Sequence, residues 1–113
     1  MNEYFSQNDA KRYAFYRVPK ALFTEEIYNQ LSTDAKMLYG LLLDRMSLSL
    51  KNGWIDEYGR VYQYFTIAQA QELLHFGHEK ICKLYAELQN ADLIERKRQG
   101  LGKANIIYLK KFL

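Results

Sequence analysis

Apolar side chains along this chain recur with two periods, and the switches between them mark the elements. Ile81, Leu84, Tyr85 and Leu88 are spaced by three and four, which predicts a helix from about 78 to 91 with one buried face. Upstream, Ser32 or Thr33 is placed to cap a longer helix running to about Ser49. There Leu38, Leu42, Arg45 and Met46 share one side, and Tyr39, Leu41 and Leu43 widen it. So broad a stripe predicts a central helix packed on several sides, stopped by Asn52-Gly53. Between these two helices, Thr66 and Gln69 form a T-x-x-Q capping box at the start of a short helix, interrupted at His75-Phe76-Gly77.

Elsewhere the period is two. Trp54-Ile55 and Val61 to Tyr64 flank the turn DEYG, where Gly59 can take positive φ, so 54–64 reads as a hairpin. Residues 94–98 and 105–109 read as two strands joined by a loop with two glycines. Near the start, Pro19 limits 15–23 to a short edge strand at most. Thr24 is placed to cap a short helix, with Glu25 and Glu26 favourable to its dipole. Residues 1–14 show no strong period and read as an arm.

The order is helix, hairpin, helix, tight turn, helix and β-ribbon. It predicts an α+β, mainly helical fold: a winged helix-turn-helix over 15–113 with a C-terminal β-hairpin wing, preceded by the N-terminal arm of 1–14.

Charge sharpens this picture by its placement. The net charge of +3 comes entirely from the second half: 1–60 carries eight basic and eight acidic residues, whereas 61–113 carries eight and five. From Arg96 onward six basic residues and no acidic one occur. A local cationic stripe on a ribbon suits a polyanion. With 49% apolar residues the chain has material for a core. Cys82 is the single cysteine, so no internal disulfide forms, in keeping with a reducing cytoplasm. No signal-peptide or membrane-spanning run is present in the sequence, and the expectation is a soluble cytoplasmic protein. His75, His78 and Cys82 are three potential ligands where a closed structural zinc site needs four, so no metal or cofactor is expected. No nucleophile–base arrangement or phosphate-cradling glycine loop emerges, and the chain is not expected to be an enzyme.

In a helix-turn-helix the second helix enters the major groove, and its first turns reach the bases. With Ile81, Leu84, Tyr85 and Leu88 inside, Glu79 and Lys83 point outward, flanked by Lys80. Lysine donates to guanine or phosphate and glutamate accepts from cytosine. His78, at the helix start, can donate to phosphate. Lys97, Arg98, Gln99 and Lys103 surround the ribbon tip and suit phosphate or minor-groove contacts; Arg96 alternates with Lys97 and must face the other way. These eight residues, His78, Glu79, Lys80, Lys83, Lys97, Arg98, Gln99 and Lys103, are the candidate DNA-binding set. Tyr4, Phe5, Tyr13, Phe15 and Tyr16 make the arm a candidate dimerisation element.

Two segments carry a family resemblance. LSTDAKMLYGLLLDRMSLSLKNGWIDEYGRVY and AELQNADLIERKRQGLGKANIIYL resemble the N-terminal domain of plasmid replication initiators of the RepA type, over roughly 15–110. The resemblance implies a winged helix that binds repeated double-stranded DNA sites at a plasmid origin as a homodimer, the arm contributing to pairing. It also implies a further C-terminal domain, outside this sequence, that engages host replication proteins. Two positions depart from the family pattern: Ala104 stands where proline usually follows GLGK, and Gly77 where a serine caps the recognition helix. Two other functions fit the same order of elements. One is a winged-helix transcriptional regulator; the other is an oligomerisation module like the N-terminal domain of DnaD primosomal proteins.

Overall fold

The computed structural model describes residues 3–112. Among these residues five α-helices and three strands follow the arm: α1 (Ala21–Thr24), α2 (Thr33–Asp44), α3 (Met46–Lys51), β1 (Tyr62–Gln63), α4 (Ile67–Leu74), α5 (His78–Asn90), β2 (Ile94–Lys97) and β3 (Ile106–Leu109). The fold is α+β and mainly helical, with a three-stranded antiparallel sheet in the order β1-β3-β2. Among the described residues no helix is long and apolar enough to cross a membrane.

The core forms where α2 meets α5. Ser32 caps α2 by accepting from the Ala35 amide at 3.1 Å. The broad stripe then buries Ala35, Leu38, Tyr39, Leu41 and Leu42. Facing it are Ile81, Leu84, Tyr85 and Leu88 of α5, and Leu93, just before the sheet, completes the cluster with Ile94 and Ile107 within it. The Tyr85 hydroxyl, buried with its ring, donates to the Phe65 carbonyl at 3.0 Å. Burial pushes the ionisation of Tyr85 far up, so it remains a neutral donor. Tyr39 similarly donates to the Lys110 carbonyl at 2.6 Å, and burial pushes it up to about 12.

Three local expectations are corrected. The helix predicted from Ser32 to Ser49 ends at Asp44 and restarts at Met46, with Arg45 between. Arg45 is held sideways at this break: its guanidinium donates to the Tyr64 carbonyl at 2.8 Å and lies 4.4 Å from the Phe65 ring centroid. Thr24 closes α1 instead of capping the next turn, its hydroxyl donating back to the Lys20 carbonyl at 3.2 Å. The edge strand over 15–23 is absent among the described residues. Pro19 accounts for the last two. Its ring presets a helical φ, its carbonyl accepts from Leu22 at 3.1 Å, and the helix begins earlier than the threonine suggests.

The segment before Pro19 crosses α2 at Gly40. A Cβ there would lie 2.9 Å from Val18 Cγ2 and 3.1 Å from the Arg17 carbonyl oxygen. Only a hydrogen at that position allows so close a crossing.

The predicted hairpin forms, with an isolated bridge between Ile55 and Val61 and Gly59 at φ +80°. Its second arm also finds a partner that its local pattern does not imply. As β1 it pairs with β3, setting Tyr62 opposite Tyr108 and Gln63 opposite Ile107. Asp56 pins the hairpin to the sheet. Its carboxylate accepts from the amides of Tyr58 and Arg60, from Arg60 Nε and from the Tyr108 hydroxyl, at 2.9–3.0 Å. Desolvation acts to raise its pKa, but these donors outweigh it and bring the carboxyl down to about 2.

Two outcomes follow from this packing. Gly40→Ala gains helix propensity but forces the crossing apart, so urea denaturation is expected to show a net loss of roughly 1–2 kcal/mol. Asp56 is depressed in the folded state from an ordinary value of 3.8 to about 2. Its stabilising effect is therefore present above pH 4 and lost as pH falls through about 2. Thermal melts between about pH 4 and 2 are expected to show a shallower stability loss for Asp56→Asn than for the parent.

Candidate nucleic-acid interface

α4 and α5 form the helix-turn-helix. The capping box predicted for α4 is present, with Gln69 N donating to Thr66 Oγ1 at 3.0 Å and Thr66 N to Gln69 Oε1 at 2.9 Å. His75 ends α4 in the left-handed conformation at φ 60°, and Gly77 opens α5 without a side-chain cap. The turn is thus built by two residues that reverse the chain quickly.

The buried stripe of α5 fixes what its other sides meet. Lys80 and Glu87, seven positions apart, share one flank. That flank lies against the start of α2. Glu87 accepts from Ser32 N at 2.8 Å and from Ser32 Oγ at 3.0 Å, while Lys80 Nζ sits 2.8 Å from Asp34 Oδ2. The Lys80 ammonium also lies 3.9 Å from the Phe76 ring centroid. Cys82 and Gln89 share the opposite flank, which meets the ribbon: Arg96 Nε donates to Gln89 Oε1 at 3.0 Å, and its guanidinium lies 5.3 Å from the Tyr85 ring centroid. Glu79, Lys83 and Asn90 are left on the outward side, all exposed. Lys83 makes no ion pair among the described residues.

The ribbon obeys the expected alternation. Ile94 is buried and Arg96 half-buried on the side facing α5, while Glu95 and Lys97 are exposed. The strands pair from Ile94 opposite Leu109 to Lys97 opposite Ile106. Arg98, Gln99 and Lys103 are exposed in the loop beyond. Between wing and helices lies a cleft of about 260 Å³, lined by Thr66 at the start of α4, Tyr85, Arg96, Lys103 and Asn105 among others.

The eight candidates therefore fall into three places. Lys97, Arg98, Gln99 and Lys103 gather on the wing. His78, Glu79 and Lys83 lie on exposed surface of α5, with the His78 ring nitrogens 3.7 and 3.9 Å from Cys82 Sγ. Lys80 lies apart from both, drawn toward α2 by Asp34. Arg96 and Gln89 were outside the candidate set, yet they join the recognition helix to the wing. Strand parity with buried Ile94 was the available signal, because it turns Arg96 toward the helix.

In the arm, Tyr4, Phe5, Tyr13, Phe15 and Tyr16 are all exposed. Phe5 and Tyr13 meet edge to face at 5.7 Å, around a turn in which Asp9 accepts from Ser6 and Arg12. An open groove of about 970 Å³ runs beside the arm, lined by Tyr13, Phe15, Pro19, Leu43 and Phe112 among others.

Comparison with known proteins places these surfaces in context. The family model for the N-terminus of replication initiator protein A (RepA) matches residues 14–113. A 41 kDa protein of Lactobacillus helveticus is 40% identical over 91 residues, which cover 80% of this chain and 26% of that protein. The chain thus spans about a quarter of that relative's length. Among solved structures, an N-terminal domain of a DNA-binding protein superposes with a TM-score of 0.83 at 40% identity, covering 100% of this chain and 86% of the other. A Rep–DNA complex gives 0.83 at 40% identity over 98% and 85% of the two chains, and an MDR initiator 0.78 at 40% over 96% and 86%.

The two contacts on the α2 flank differ in what they hold. Glu87→Ala strips the start of α2 of two acceptor contacts and is expected to lower stability in urea by about 1–2 kcal/mol. Asp34→Ala removes only a half-exposed ion pair and is expected to cost less than about 1 kcal/mol in the same measurement.

Proposed function

The chain belongs to the replication initiator protein A (RepA) N-terminal family, and from that premise we propose that it binds repeated double-stranded DNA sites at a plasmid origin. The observation that carries this reading is the arrangement around α5. Its outward side presents Glu79 and Lys83, and the ribbon docked on its flank through Arg96 and Gln89 carries exposed Lys97, Arg98 and Lys103. The Rep–DNA complex among the structural relatives supports the same use of this fold.

In this reading α5 enters the major groove, which is about 12 Å wide, with Lys83 donating to guanine or phosphate and Glu79 accepting from cytosine. His78 meets phosphate at the helix start. Arg98, Gln99 and Lys103 hold the wing to the neighbouring backbone and groove, a sequence-tolerant and salt-sensitive contribution. Lys80 is a secondary contact, because Asp34 already neutralises it and DNA must compete for it. The domain recognises and positions; chemistry on the DNA belongs to recruited proteins.

The exposed arm aromatics support pairing into a homodimer. A two-fold pair would set two copies of α5 on one face of the duplex and match repeats about 10–10.5 bp apart or multiples of that spacing. Contact with host replication proteins is assigned to chain beyond this domain.

The test is a set of binding isotherms on a duplex selected by this chain from a random pool. Lys83→Ala is expected to weaken binding to the selected duplex by roughly tenfold or more, and binding to a scrambled duplex much less. Arg98→Ala and Lys103→Ala are expected to weaken both duplexes alike and to reduce the salt slope by about 1 each. Lys80→Ala is expected to have the smallest effect of the four. Equal affinity of all four variants and the parent at one fixed salt concentration would overturn the assignment of both surfaces.

A further inference from the structure

The tip of the wing carries one apolar side chain, and nothing in the fold uses it. Leu101 is fully exposed, at 106% of its reference area. It stands between Gly100 at φ +128° and Gly102 at φ +75°. Neither glycine would meet any atom within 4 Å if given a Cβ, so the tip projects into open space. The Lys103 amide donates to the Gly100 carbonyl at 3.2 Å. That bond closes a four-residue turn with Leu101 at the second position and a positive-φ glycine at the third, the requirement of a type II turn. The turn holds Leu101 outward instead of letting it fold back onto the ribbon. Arg98, Gln99 and Lys103, all exposed, flank it.

We infer that Leu101 is an apolar wedge that enters the DNA minor groove and partly unstacks one base step. The inference rests on the DNA-binding reading above and adds to it the action of the tip. The shape fits: a Gly-Leu-Gly tip is one side chain wide, and the minor groove is about 6 Å wide and 7.5 Å deep. The two missing Cβ atoms let the backbone follow the side chain inward. The charge fits as well, because flanking cations on both sides of the tip can hold the two phosphate strands that border the groove. Minor-groove proteins use leucine among other apolar residues in this way and bend the duplex by about 20–90° toward the major groove. Such bending makes flexible steps, TA or CA/TG, the preferred neighbours of the major-groove site without any base hydrogen bond from the wing.

The experiment uses the 113-residue chain and the duplex it selects from a random pool, with 2-aminopurine replacing adenine at one position at a time beside the major-groove site. The parent is expected to brighten one position severalfold on binding. Leu101→Ala is expected to leave that position at the fluorescence of free duplex and to bind roughly three- to tenfold more weakly, since the cations remain. Leu101→Met is expected to restore the signal. Because Leu101 packs on nothing in the fold, these substitutions leave the domain folded. The wedge is overturned if the bound parent brightens no position, or if Leu101→Ala brightens the same position as strongly. Failure of the parent to bind any duplex at low salt would instead overturn the DNA-binding reading itself.

Discussion

Ile81, Leu84, Tyr85 and Leu88 are buried against α2 and the sheet, and that burial sets the rotation of α5 about its own axis. Burying each such side chain is worth about 1.5–3 kcal/mol, so turning the helix by one residue would forfeit much of the core and bring charged groups into it. Two polar attachments reinforce the same rotation from opposite sides. Glu87 holds the start of α2, and Gln89 holds Arg96 of the ribbon. The outward direction of Glu79 and Lys83 is thus a result of the core. A rigid presentation of this kind reduces the ordering that recognition would otherwise require.

The electrostatics divide along the same line. On the α2 flank charges are matched, with Lys80 against Asp34 and Glu87 against the Ser32 donors. On the ribbon no acidic residue follows Glu95, and Lys97, Arg98 and Lys103 stay exposed. The modest net charge of +3 therefore understates the local field at the wing, because Lys97, Arg98 and Lys103 make no ion pair among the described residues.

Features decided by near neighbours in sequence were legible from it. The Ser32 cap, the Thr66–Gln69 box, the buried stripe of α5 and the alternation of β2 all show in residue types spaced within a few positions, and the structure contains each. Distant partners decided the rest. The central helix breaks at Arg45, whose guanidinium is held by the Tyr64 carbonyl and the Phe65 ring. Tyr62 joins the ribbon through a pairing with Tyr108. Helix geometry places Lys80 on a flank, but only the packing reveals that Asp34 waits there. Pro19 carries two opposed local tendencies, and its role in starting a helix prevails over its role in limiting a strand.

The order β1-β3-β2 puts β3 at the centre of the sheet and leaves two outer edges. The β1 edge is two residues long. The β2 edge is four residues long and carries Glu95, Arg96 and Lys97. A sheet edge with free backbone groups is a template on which another chain can add as a strand, and shortness and charge are the two usual protections. Both are present here, so crowding of many copies would give little opportunity for strand-to-strand aggregation into fibres.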